Sequence, residues 1–179
     1  KIPPIASHSG VHALAGHVRN MTDEQMIALK EAGGVMQVVA FSDYVKFYPD
    51  AGAAQAALMQ EVAKSFGDEQ FDFKKHYDTA EFREARERYM EQFPPATVSQ
   101  FVDHIDYAVN LIGIDHVGIV SDFDGGGGIT GWSDASETMN VTRELVNRGY
   151  TEEEIAKIWS GNTLALWERV DKAVANLNK

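Results

Sequence analysis

Val117-Gly118-Ile119-Val120-Ser121-Asp122-Phe123-Asp124, followed at once by four glycines from Gly125 to Gly128, is the stretch on which the fold of this chain turns. A short apolar run rich in β-branched residues predicts a strand buried on both faces, as in a parallel sheet. The run ends in two acids and then in backbone free of Cβ constraints. In α/β folds, ligands and chemistry gather beyond the carboxyl ends of the strands. Asp122 therefore stands where an acid is useful and contributes little to packing. The bland alternative is that Asp122 and Asp124 only end a strand and shape a turn, which Asp does well. On this segment alone both stay open.

Working outward, the same design recurs twice upstream. Pro4-Ile5-Ala6 is an apolar approach leading into Ser7-His8-Ser9-Gly10, a polar cluster with a histidine. Asn20 to Lys30 follows as a helix, with Thr22 and Gln25 at capping-box spacing and Gly33-Gly34 as the stop. Val35 to Phe41 then reads as a second buried strand, ending in Ser42-Asp43-Tyr44. Strand-like runs that end in polar residues and alternate with helical patterns predict an α/β fold with a parallel sheet or barrel.

Between the second and third strands lies a different region, about 47–95. It includes an alanine-rich helical segment from Ala51 to Lys64 and a charged stretch from Glu81 to Gln92 whose alternating signs read as a solvated helix. We read it as a helical insertion on the strand-end side, closed by Pro94-Pro95. Thr97 to Leu111 is an amphipathic helix, its stripe made of Val98, Phe101, Val102, Ile105, Ala108, Val109 and Ile112. Downstream, Met139 to Asn147 is a helix stopped by Gly149. Thr151-Glu152-Glu153-Glu154 opens the last helical segments, which run to Asn178 with a break at Gly161-Asn162.

Composition narrows the function classes. The chain has 179 residues, 44% hydrophobic and 24% charged, which suits a globular protein with one sizeable core. A formal net charge of −11, with no basic patch to neutralise phosphates, argues against a nucleic-acid partner. No apolar stretch approaches the roughly 20 residues that cross a bilayer. The chain reads as soluble; cytoplasm, periplasm and cell envelope all stay open. Without cysteine, any metal must sit on His, Asp or Glu.

Of the six histidines, His12, His17, His76, His104 and His116 have no partner at ligand spacing and read as structural or solvated. His8 differs because a strand delivers it to the carboxyl end between two small serines, where a neutral imidazole can bind a divalent metal. Arg19, just before a helix start, offers a bidentate grip on a carboxylate; a surface ion pair is its plainer role. Tyr44, just past a strand end, can donate to a developing oxyanion or simply cover the core. The Asp-x-Asp pattern also invites a haloacid-dehalogenase-type phosphatase. That chemistry needs a later Lys and acidic pair, and the mostly helical tail after Asp124 offers only Glu152-Glu153-Glu154 in a helix start.

Taken together these pieces resemble the membrane (renal-type) dipeptidase family, M19, zinc peptidases on an amidohydrolase-like (β/α)8 barrel. The matching segments are Pro4 to Ser9, Arg19 to Glu24, Gly33 to Val38, Val102 to Tyr107, Gly113 to Gly125, Arg148 to Ile155 and Gly161-Asn162. They leave only the 47–95 region uncovered. The resemblance implies a fold, the C-terminal part of a TIM-like barrel of metal-dependent hydrolase type, and an activity, hydrolysis of dipeptides by a hydroxide bridging two zinc ions. It implies that His8 is a metal ligand, that Arg19 binds the substrate carboxylate, that Tyr44 lines the substrate site, and that Asp122 contacts the substrate's amino end and shuttles the proton. Asp124 then braces the turn.

The family's remaining metal ligands have no counterpart here, and three strands cannot close a barrel that takes roughly 250 residues. Residues 1–179 are thus expected to be the C-terminal portion of one catalytic domain. The expected partners are the missing N-terminal half, a dipeptide and, as a further candidate, a second copy in a homodimer. A related amidohydrolase acting on another amide, lactam or ester, and a metal-free non-catalytic relative, are the competing classes.

Overall fold

The computed structural model describes residues 2–177; Asn178, the predicted end of the last helix, lies outside the described residues. In chain order the elements are β1 (Ile5–Ser9), α1 (Asp23–Glu31), β2 (Val35–Val39), α2 (Ser42–Val45), α3 (Ala51–Ser65), α4 (Phe73–His76), α5 (Ala80–Gln92), α6 (Val98–Ile112), β3 (Val117–Val120), α7 (Thr138–Asn147), α8 (Glu152–Ala156) and α9 (Asn162–Leu177). They form two compact units, one of residues 1–47 with 96–179 and one of residues 48–95.

The first unit is α/β. Its three strands are parallel in the order β1-β2-β3, with Met36 opposite Val117 and Val39 opposite Val120. All three therefore end on the same edge of the sheet. β2 is buried along its whole length. Met36 and Val38 join Val117, Ile119 and the α6 residues Phe101, Val102, Ile105, Ala108 and Ile112 in one core. Each large side chain buried there contributes about 1.5–3 kcal/mol. Gln37 points to the other sheet face, where its amide donates to the Thr163 hydroxyl. Gly118 makes room for it, since a Cβ there would collide with the Gln37 amide.

Helix starts follow the predicted chemistry. Thr22, Thr97 and Thr151 each close a capping box with Gln25, Gln100 and Glu154. Arg148, after α7, uses its guanidinium to tie that helix to α6. It donates to Asp103 and Asp106 at 2.6 Å each, to Glu144 at 2.9 Å, and to the Ser99 carbonyl at 2.7 Å. Burial works against its charge, but the three carboxylates outweigh burial and hold its pKa above the ordinary arginine value.

Two expectations are corrected. β1 is not a buried strand: β3, equally an edge strand, is covered by α6, α9 and the π-helical turn before α9, whereas β1 packs mainly against the other strands, leaving Ile5 47% exposed and burying Ser9 alone. The predicted break at Gly161-Asn162 is not a break either. A π-helical turn, Lys157–Gly161, carries the chain from α8 directly into α9. The wider turn is anchored by Asn162, whose amide donates to Ile114 O at 2.7 Å and Val117 O at 2.8 Å.

The second unit packs α3 against α5, with Val62, Phe82 and Ala85 in its small core. α5, predicted as solvated from its alternating charges, thus still buries one narrow face. His76 is fully buried there, its Nδ1 accepting from Asp72 N at 2.8 Å and its Nε2 2.7 Å from Asp68.

Candidate active site at the carboxyl edge of the sheet

His8 is the fourth residue of β1 and is exposed at the carboxyl edge. Its Nε2 lies 3.2 Å from Arg19 Nη2, and its Nδ1 lies 2.8 Å from Ser7 Oγ. A guanidinium only donates, so Nε2 carries the lone pair and Nδ1–H donates to the serine. Ser7 thus orients the ring, and the Nε2 lone pair is engaged by Arg19, so a metal on Nε2 would have to displace the guanidinium from it.

Arg19 sits on the loop that leaves β1 and returns to α1. That loop is pinned by a bridge between Val11 and Met21, and Ser9 Oγ donates to Arg19 O at 2.9 Å. The guanidinium carbon lies 5.8 Å from the centre of the Tyr44 ring. Among the described residues no carboxylate pairs with Arg19, so the surface ion pair weighed from sequence does not form. Apart from its contacts with His8 and the Tyr44 ring, the guanidinium is available to an anion from elsewhere.

Tyr44, in α2 just past β2, stacks on His17 with ring centres 4.5 Å apart and on Phe41 at 4.7 Å. His17, read from sequence as structural or solvated, forms part of the wall. Its Nδ1 accepts from Arg19 N at 3.2 Å, and burial first, then Arg19, lowers its pKa against the opposing pull of Asp43.

Asp122 follows β3 in a left-handed conformation, φ 54°, and Asp124 repeats it at φ 63°. Non-glycine residues rarely adopt this region, and strain of about 1–3 kcal/mol each tends to be kept where a site needs it. The Asp122 carbonyl accepts from Gly125 N at 3.1 Å and Gly127 N at 2.8 Å. A Cβ on Gly127 would collide with the Ser121 and Asp122 carbonyl oxygens. The turn is thus braced by the Asp122 backbone, and the turn-shaping role considered from sequence is present beside any chemical one. The glycines then fold back onto β2, where Gly128 N donates to Ala40 O at 2.8 Å, and Gly126 lies under the Phe41 ring.

His8, Arg19 and Tyr44 therefore form one chain of contacts, which Phe41 extends to the turn carrying Asp122. No hydrogen bond links the Asp122 carboxylate to the other three among the described residues. His104 is structural, as its sequence position suggested. Its Nδ1 accepts from Val11 N at 2.9 Å and its Nε2 faces Val45 O at 3.0 Å.

His8 suits zinc in donor type. Among the described residues, however, no group of three or more His, Asp or Glu side chains could hold a metal ion. One imidazole is short of the three or four protein ligands zinc takes. The chain fits as a contributor to a metal centre.

The sequence as a whole fits one family model, described as membrane dipeptidase (Peptidase family M19), over residues 1–179. The chain belongs to the membrane dipeptidase family. Among curated relatives of this M19 chain, dipeptidase ataJ of Aspergillus terreus is 33% identical over 172 residues, 96% of this chain and 32% of that protein. Dipeptidase aclJ of Aspergillus oryzae is 28% identical over 178 residues, 99% of this chain and 32% of that protein. Among solved structures, the probable dipeptidase PvdM of Pseudomonas aeruginosa superposes with TM-score 0.70 at 38% identity, covering 95% of this chain and 45% of that one. A metallo peptidase of Rhodobacter sphaeroides, liganded with a phosphinate mimic of L-Ala-D-Ala, shares the fold with TM-score 0.64 at 21% identity, covering 95% and 37%. The M19 chain thus spans about a third of the length of these curated relatives.

Asn20, Ser9 and Phe41 were missed as site-shaping residues from sequence. Gly10 beside the His8 cluster was the one available signal, since a glycine after a strand marks close backbone approach.

Proposed function

We propose that this chain is the C-terminal part of a zinc-dependent dipeptidase, a (β/α)8 barrel carrying residues 47–95 as a helical insertion, and that a segment outside this chain supplies the remaining strands and metal ligands. Two features support the barrel: the chain is much shorter than its relatives, and among the described residues β1 and β3 each pair on one side only. Closure would remove both free edges.

One observation carries the substrate assignment. Among the described residues a guanidinium with no carboxylate partner stands beside an exposed imidazole at the carboxyl edge; a metal on Nε2 would displace their 3.2 Å contact and leave the guanidinium to the substrate. A substrate with a terminal carboxylate one residue from the scissile bond would place its ends on these two groups. In this reading His8 Nε2 is a zinc ligand of a binuclear centre, and Arg19 grips the carboxylate as a planar fork on a planar anion. Tyr44 lines the substrate site and holds the guanidinium by its ring face. The Asp122 carboxylate receives a proton and returns it to the departing amine, general acid/base work worth about 10²–10⁴ in rate. When bound, zinc supplies a more acidic water and a polarised carbonyl. The periplasm or cell envelope remains a candidate setting. No helix of the described residues is long and apolar enough to cross a membrane.

The test is metal analysis of the whole protein together with turnover on L-Xaa-L-Xaa and L-Xaa-D-Xaa dipeptides. Two zinc ions per protomer and dipeptide hydrolysis are expected. Zinc with activity only on lactams or esters would point to another amidohydrolase, and absence of bound zinc would overturn the reading.

A further inference from the structure

Asn20 stands next to Arg19 in sequence, is 5% exposed, and joins three segments of the carboxyl edge. Its Oδ1 accepts from Gly10 N at 2.9 Å, and its Nδ2 donates to Ala15 O at 2.7 Å and to Tyr44 O at 2.8 Å. Gly10 is two residues beyond His8, and Tyr44 belongs to α2, just after β2. One amide thus links the strand that carries the imidazole, the loop that carries the guanidinium and the helix that carries the phenol. The fit leaves no slack. A Cβ on Gly10 would lie 2.5 Å from Asn20 Oδ1 and 2.9 Å from Tyr44 O. The orientation of the amide is also forced, because a flip would set oxygen against two carbonyls and NH₂ against an N–H.

We infer that Asn20 is a positioning residue for substrate carboxylate recognition, fixing Arg19 relative to His8 and Tyr44; the inference rests on the dipeptidase reading above. Its physical basis is that Arg19, His8 and Tyr44 lie on separate segments, a loop, a strand and a helix, and a bidentate grip tolerates little displacement. A misplacement of about 1 Å can cost 10²-fold in rate. Asp cannot substitute for Asn20, since a carboxylate would face the Ala15 and Tyr44 carbonyl oxygens.

The experiment compares kcat/KM for a dipeptide and for its C-terminal amide in the whole enzyme. The wild type should prefer the free carboxylate, and Arg19→Ala should lose most of that preference. Asn20→Ala should cut it by about 10-fold or more, and the double variant should fall no further than Arg19→Ala alone. Asn162→Ala is the control: it removes a buried asparagine at the opposite end of β3. It should lower the melting temperature yet keep the wild-type preference. If Asn20→Ala does not fold, Asn20→Ser, which retains one hydroxyl donor, replaces it. Asn20 variants that lower stability but keep the full preference, as the control does, overturn the inference and leave the dipeptidase reading intact. A wild-type enzyme that hydrolyses both substrates equally overturns both.

Discussion

The two ends of the parallel sheet are built from similar materials toward different results. At the amino end, Asn162 donates to Ile114 O and Val117 O, His116 Nδ1 lies 2.8 Å from Gly34 O, and Arg169 donates to Gly33 O at 2.9 Å. Side-chain donors there end on backbone carbonyls, so hydrogen bonds serve to close the fold. At the carboxyl end, Asn20 makes the same kind of backbone contacts, but the residues it holds are exposed: His8, Arg19 and, by half, Tyr44. Two aspartates there accept left-handed backbone, and among the described residues Arg19 has no carboxylate partner. Equal chemistry is spent on stability at one end and on presentation at the other.

That contrast can be broken most forcefully at Asp122. Asp122→Asn in the whole protein should lower kcat by about 10²–10⁴ while leaving zinc content and melting temperature near wild type, because the carboxylate makes no hydrogen bond among the described residues. A large loss of stability without loss of turnover per folded molecule would place Asp122 with the amino-end residues instead. Gly127→Ala, two carbonyl collisions away from the observed turn, should destabilise by about 2–4 kcal/mol in urea titration and reduce turnover as Asp122 is displaced. Unchanged stability would mean that the turn relaxes freely.

Ser7→Ala sharpens the comparison by leaving the fold alone. Loss of the hydroxyl that orients His8 should weaken zinc affinity of the whole enzyme by about 10–100-fold in competition with a chelator. The smallest expected effect is a pH dependence at His104. Burial lowers its pKa, with Val45 O and Asp103 opposing, so the folded state holds it neutral while the unfolded chain binds a proton near pH 6.5. Stability from His104 is full above that value and declines as pH falls through it, by at most about 1.4 kcal/mol per pH unit for one proton. His104→Gln should flatten this acid-side slope without changing the carboxylate preference.

Much of this was legible in the chain. The β-branched runs at 35–39 and 117–120 announce buried strands, and their alternation with helices announces a parallel sheet. The Thr-x-x-Gln and Thr-x-x-Glu spacings set three helix starts because capping is a local reaction between residues three apart. His8 and Asp122 were placed at strand ends for the same reason: a parallel sheet carries every strand end to one edge.

Other features depend on distance in space. Nothing in Arg148-Gly149-Tyr150 reveals that Arg148 joins α7 to α6, since its two α6 carboxylates lie 42 and 45 residues away. The exposure of β1 follows from the scant helical cover it receives compared with β3, which no pattern within five residues can encode. The π turn at Lys157–Gly161 replaced a predicted break because Asn162 finds two carbonyls across the sheet end. Local sequence, then, determined which segments become strands and helices and which polar groups stand at their ends, because those outcomes depend on neighbours along the backbone. Tertiary structure decided that Asn20 grips Gly10 and Tyr44, that His17 stacks on Tyr44, and that Arg19 meets His8, because only folding brings groups ten or more residues apart within hydrogen-bonding reach.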